Sequence, residues 1–198
     1  MSPVGFAVAG GRSQRMGRDK ALLPWGETDL LGHALARLRT VTDDVRILSG
    51  PERRFSDRGV PVEVDPAPDL GPLGGLVAAL DAASGVDVLL LGIDLPLIPS
   101  GLLARLVQLM PGFDTVVPVS ARGPEPVCAL YGAACREPVQ RRVSAGELKM
   151  TAFWPDVRVL ELGPSELGAF GDPEELFLNV NAPEDYARAR ALSARRRA

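Results

Sequence analysis

Histidine and cysteine are scarce in this 198-residue chain: His33 stands alone, and the cysteines are Cys128 and Cys135. A serine–histidine mechanism or a histidine-built metal site has little to draw on. The cysteines lie seven positions apart with no partner pair at metal-binding spacing, so they read as reduced thiols, Cys128 near the core. Long apolar runs are also missing. The longest aliphatic block, Val88-Leu89-Leu90-Leu91, is soon interrupted by Gly92 and Asp94, and residues 1–11 carry no basic charge ahead of their apolar segment. Neither a membrane span nor a leader is predicted, and the expected location is cytoplasmic. Net charge is only −3, which gives no general attraction to nucleic acid or to an anionic membrane, so affinity for phosphate must come from a local cluster.

Lysine is rare as well, Lys20 and Lys149 standing against twenty arginines. One of them closes the most informative stretch, Val8-Ala9-Gly10-Gly11-Arg12-Ser13-Gln14-Arg15-Met16-Gly17-Arg18-Asp19-Lys20. The apolar run Phe6-Ala7-Val8 reads as a buried strand, and the paired glycines after it leave main-chain N–H groups free to meet an anion. Arg12, Arg15, Arg18 and Lys20 add charge-assisted donors. A bare Gly-Gly would signify no more than a tight turn, but the full thirteen-residue pattern favours a phosphate cradle. Its spacing is neither G-x-x-x-x-G-K-[ST] nor G-x-G-x-x-G, which leaves nucleotidyl transfer rather than P-loop hydrolysis or hydride transfer.

Downstream, strands alternate with helices. Leu31, Leu35, Leu38 and Val41 share one helical face behind a cap at Thr28 or Asp29, and His33, off that stripe, reads as a solvated position. Strands are predicted at 45–48, at 60–64 (at an edge or only partly laddered, because of Pro61), at 87–93, 115–119, 128–131 and 157–162. Helices are predicted through Leu76–Ala83, from a cap at Ser100 to Met110, over 135–153, and from Pro183 onward, with 163–175 a loop. The proline- and glycine-dense segment 66–75 enters a helix N-terminus and suits a base or ribose, while the polar loop 120–127 is placed for acceptor contacts. Asp94 ends the most continuously apolar strand, where open α/β sheets bind ligands; capping a turn before Pro96 is the plainer role, and holding magnesium is the one its position favours. Asn179 and Asn181 fall on one face if the chain there is extended. With no repeat or composition break, residues 1–198 read as a single three-layer α/β domain with a mainly parallel sheet.

These motifs resemble those of the molybdenum cofactor guanylyltransferases, within the broader nucleotidyltransferases that act on sugars, isoprenoid precursors and cofactors. The resemblance runs nearly end to end, through Ala9-Gly10-Gly11-x-Ser13-x-Arg15-Met16-Gly17-x-Asp19-Lys20, Gly71-Pro72-Leu73-x-Gly75, Asp94-x-Pro96 and Asn179-x-Asn181-x-Pro183-Glu184-Asp185. It implies a Rossmann-like α/β/α nucleotidyltransferase domain that moves GMP from GTP to a molybdopterin-type acceptor, with Mg2+ as cofactor; the alternatives are a cytidylyl- or sugar-nucleotidyltransferase of the same fold and a non-catalytic nucleotide-binding accessory protein for molybdoenzyme maturation. It further implies that Val8, Ala9, Gly10 and Gly11 line guanine and phosphates, and that Lys20 grips the triphosphate, with Arg15 beside it among the catalytic groups. Asp65 would help hold the nucleoside, Asp94 would bind the metal, and Asn179 and Asn181 would approach the metal or the acceptor. Molybdoenzyme chaperones or other cofactor-biosynthesis proteins are the protein partners this implies, with no nucleic acid and no membrane. The double glycine resembles the guanine-using branch. Ser49 stands where the family often has asparagine, Leu148-Lys149 where it often has arginine, and Ala182 where threonine is usual.

Overall fold

The computed structural model describes residues 2–10, 19–65 and 70–196. Gly11 and Arg15, with the rest of 11–18 and the segment 66–69, lie outside the described residues. A central sheet runs in the order β10-β7-β9-β6-β1-β4-β5, formed by β1 (Val4–Val8), β4 (Val45–Leu48), β5 (Val62–Glu63), β6 (Val88–Gly92), β7 (Thr115–Ser120), β9 (Cys128–Tyr131) and β10 (Val159–Leu162), with β8 (Gly123–Pro124) added to β7. Only β9 opposes its neighbours on that path; β1/β4, β1/β6, β4/β5 and β7/β10 are parallel. The mainly parallel sheet read from the sequence is therefore present.

Period-two alternation divides the core between the two faces of this sheet. Ala7, Leu89 and Leu91 pack on one side with Leu31, Leu35 and Leu38 of α1 (Leu30–Leu38) and with Leu102, Leu103 and Leu106 of α3 (Ser100–Leu109). Phe6, Leu90 and Tyr131 pack on the other with Leu73, Leu76 and Leu80 of α2 (Gly71–Ala83) and Val139 of α4 (Arg136–Ser144). Those faces make the three layers. A small third cluster, with Trp25, Leu97, Leu178, Val180, Ala189 and Leu192, seats α7 (Pro183–Arg195) beside the short ribbon of β2 (Pro24–Trp25) and β3 (Thr28–Asp29).

Several boundaries depart from the sequence reading. The helix expected over 135–153 stops at Ser144, because Gly146 takes φ +76° and closes a Schellman cap: Gly146 N–H donates to Val143 O at 2.9 Å and Glu147 N–H to Arg142 O at 3.0 Å. The 163–175 loop contains two helical turns, α5 (Pro164–Leu167) and α6 (Pro173–Leu176), each started by proline, the second also capped by Asp172. Ser100 begins α3 rather than capping it; Pro99 takes the cap position, and Ser100 Oγ accepts from Arg37. No helix among the described residues is long and apolar enough to cross a membrane.

Both cysteines are fully buried, and Cys135 Sγ donates to Asp114 O at 3.0 Å. Burial pushes the Cys135 thiol up to about 12 and the Cys128 thiol higher still, so neither supplies thiolate near neutrality. Both should resist a thiol reagent in the native protein and label fully in denaturant; rapid native labelling of either would contradict the packing.

Candidate nucleotide site at the sheet switch point

Chain order reverses between β1 and β6: β4 follows β1 on one side, while β6 lies on the other. Ligands of open α/β sheets bind outside the carboxyl ends of the strands at such a point. Val8 pairs with Gly92, so the two strands end level, and Ile93 N–H donates to Val8 O at 3.3 Å. Ala9 and Gly10 thus leave the sheet beside Asp94. A Cβ at Gly92 would lie 2.5 Å from Asp94 Oδ1, so glycine is required there for the carboxylate to fold back over the strand end.

Lys20 is brought to the same point by a 3-10 turn, Lys20–Leu22, whose first N–H groups are capped by Asp19 Oδ1 on Ala21 N at 3.1 Å. Its ammonium donates to Asn181 Oδ1 at 2.9 Å and lies 3.4 Å from Asp94 Oδ2. Asn181 is presented by the start of α7: one Asp185 oxygen accepts from the N–H groups of Asn181 (3.1 Å) and Ala182 (2.9 Å). The preceding segment does not pair as a strand; it is tied by Val180 N–H to Asp94 O at 2.8 Å. Three predicted residues distant in the chain, Lys20, Asp94 and Asn181, therefore form one hydrogen-bonded cluster.

Asn179 lies two residues earlier, and its Oδ1 is buried without a hydrogen-bond partner among the described residues. Asp94 with amide oxygens is a hard-oxygen set, of the kind that suits Mg2+, which commonly takes one or two carboxylates and completes its shell with phosphates and water. Among the described residues no group of three or more His, Cys, Asp or Glu forms a separate metal site. The residues present fit a metal shared with a phosphate ligand.

Asp65 lies two residues beyond β5, buried, with its N–H donating to Gly50 O at 2.8 Å. A Cβ at Gly74 would meet both Asp65 carboxylate oxygens at 2.9 Å, and one at Gly75 would meet Leu48 at 3.0 Å. The glycines of the second motif thus let Asp65 and the sheet sit against the first turn of α2, where partial positive charge favours an anion. Gly10 has a similar reason for its size: a Cβ would come within 3.2 Å of the Gly50 backbone. Close chain packing accounts for Gly10 without reference to the base. Ser49 turns its hydroxyl inward, donating to Glu52 O at 2.7 Å.

Loop 120–127 is stapled beside Asp94. Gly92 N–H donates to Val127 O at 2.7 Å, Ser120 Oγ donates to Glu125 Oε1 at 2.7 Å, and Arg122 donates to Phe177 O. Burial pushes the Glu125 carboxyl upward and the charge of Asp94 adds to it, while Ser120 and Arg122 pull it down.

The sequence reading of His33 as a solvated position is corrected. His33 is half-buried, its Nε2 is 2.9 Å from Pro96 O, and its ring lies 5.8 Å from that of Trp25. A carbonyl only accepts, so Nε2 carries the hydrogen, and α1 braces the Asp94-Leu95-Pro96 turn through it. Arg54 was not anticipated at all; nothing in Glu52-Arg53-Arg54-Phe55 separates it from a solvated arginine.

Comparison with known proteins agrees with this architecture. Residues 5–156 match the model of the MobA-like NTP transferase domain. A Cereibacter sphaeroides protein named molybdenum cofactor guanylyltransferase is 36% identical over 197 residues, covering 97% of each chain. The crystal structure of molybdopterin-guanine dinucleotide biosynthesis protein A from Archaeoglobus fulgidus superposes with a TM-score of 0.80 at 20% identity, over 96% of this chain and 98% of that one. A Mycobacterium tuberculosis protein crystallised with manganese superposes with a TM-score of 0.63 at 21% identity, over 96% and 99%. With the model match spanning most of the chain and a relative of this similarity covering nearly all of it, the chain belongs to the MobA-like NTP transferase family.

Proposed function

We propose that this protein transfers GMP from GTP to the terminal phosphate of molybdenum-molybdopterin, releasing pyrophosphate and forming the guanine dinucleotide form of the cofactor. The observation that carries this reading is the cluster of Lys20, Asp94 and Asn181 at the sheet switch point of a chain in this family. An oxygen of the acceptor phosphate attacks the α-phosphorus of GTP as the bond from that phosphorus to the pyrophosphate oxygen breaks. The acceptor is already an anion near neutral pH, so the chain need only orient the two phosphates and balance charge. Lys20 supplies fixed positive charge for oxygens that become more negative as pyrophosphate leaves. Asp94, with Asn179 and Asn181, would hold Mg2+, which when bound polarises phosphoryl oxygens and neutralises their charge. Asp65 and the first turn of α2 are assigned to the nucleoside, as are Val8, Ala9, Gly10 and Gly11 to guanine and phosphates, with Arg15 among the phosphate ligands. Protein partners, molybdoenzyme chaperones or other cofactor-biosynthesis proteins, belong to the same proposal and rest on the function alone.

Nucleotide choice is tested by thermal shift. A ligand that binds only the native state at a hundred times its Kd stabilises by about 2.7 kcal/mol, or roughly 5–10 °C for a chain of this size. GTP with Mg2+ should give such a shift, and ATP, CTP and UTP much smaller ones. Equal shifts for all four nucleotides would remove the guanine assignment; a shift with CTP alone would make the protein a cytidylyltransferase of the same fold.

A further inference from the structure

We propose that Arg54 is a positioning residue that holds both ends of the glycine-rich segment at one separation and thereby places Lys20. Its guanidinium donates from Nη1 to Asp19 Oδ2 at 2.8 Å and from Nη2 to Ala9 O at 2.9 Å. Ala9 precedes the glycines and Asp19 precedes Lys20, so one rigid planar group joins the entry and the exit of the segment. The Asp19 carboxylate then divides its work: Oδ2 accepts from Arg54 while Oδ1 accepts from Ala21 N, in the turn that presents Lys20. Displacement of Arg54 is thus passed through one carboxylate to the ammonium at Asp94.

The arginine is itself held. Its guanidinium carbon lies 4.8 Å from the centre of the Phe55 ring, a cation–π distance. Phe55 has φ +65°, a left-handed conformation that is uncommon for a bulky residue, and strain of this kind collects at functional sites. Side chains of Arg54 and Asp19 are about one-third exposed, and an ordinary surface pair of that kind contributes little. What sets Arg54 apart is the second bond, to a main-chain carbonyl at the end of β1. Lysine cannot reproduce it, since an ammonium is a point charge without the guanidinium fork.

The catalytic consequence rests on the proposed guanylyl transfer; the geometric one does not. Arg54→Ala should lower kcat by about 10- to 100-fold, since misplacement by about 1 Å from a distant change can cost 10²-fold, while KM for GTP moves far less. Arg54→Lys should fail to restore the rate. In the double variant Arg54→Ala/Asp19→Ala the two losses should not multiply, because both remove one bridge. Amide exchange of the Asp19-capped turn, residues 19–23, should quicken in Arg54→Ala with the melting temperature of the whole protein little changed. Wild-type kcat in Arg54→Ala, full rescue by lysine, or multiplying losses would overturn the proposal. If Arg54→Ala does not fold, Arg54→Lys carries the same comparison. Should the wild-type protein not act on GTP, the functional reading fails, and exchange of residues 19–23 still decides the clamp: unchanged exchange sinks it.

Discussion

Asp94→Asn should leave the fold intact and reduce turnover by more than about 10²-fold at saturating Mg2+. The fold should survive because the change is isosteric and its main anchors are in the backbone: Asp94 O still accepts from Val180 N–H, and Leu95 N–H still donates to Gly92 O at 3.2 Å. What is lost is the negative charge. Lys20 Nζ lies 3.4 Å from Asp94 Oδ2, with those side chains 15% and 24% exposed, so the pair is partly screened and its removal should shift the melting temperature only slightly. Chemistry is affected far more, since partners one step removed from a metal already cost about 10–100-fold and a direct anionic ligand should exceed that. A wild-type rate for Asp94→Asn across a Mg2+ titration would show that Asp94 is no metal ligand and would leave it as a counter-ion for Lys20.

The sheet, its layers and the level of the candidate site were legible in the sequence for a plain physical reason: burial and strand direction write themselves into apolar pattern. Val88-Leu89-Leu90-Leu91-Gly92 is apolar on both faces, and it is a central strand of the sheet, buried throughout. Asp94 and Lys20 stood out as charge at strand and loop ends, and the structure joins them to Asn181. Groups whose work is done through the main chain left no such trace. Arg54 acts on Ala9 O and His33 on Pro96 O, and a bond to backbone imposes no pattern on the partner's side chain. The end of α4 was misread for a related reason. Val143, Met150 and Phe153 continue an apolar succession past Ala145-Gly146, and only the positive φ of Gly146 reveals the break.

Lys20→Ala should depress kcat and kcat/KM together by about 10²–10³-fold, while the directly titrated Kd for GTP weakens much less. The reason is that positive charge stabilises most where negative charge is growing, and on this mechanism it grows on the phosphate oxygens as the bond to pyrophosphate breaks. The structure supplies the positional part of the argument: the ammonium is held between Asn181 Oδ1 and Asp94 Oδ2, the end of a turn fixed by Asp19, and so is already ordered where the phosphates are proposed to bind. A group ordered in advance costs little reorganisation at the moment of reaction. An affinity clamp is the competing role, and it predicts a raised KM with kcat nearly unchanged. Because Lys20→Ala also strips Asp94 of its nearby cation, Lys20→Arg serves as the second variant: it keeps the charge but spreads it over a planar fork, and should recover part of the binding and little of the rate. Steady-state kinetics and calorimetric GTP titration on both variants separate the two roles, and a kcat that survives Lys20→Ala would rule out transition-state action by this lysine.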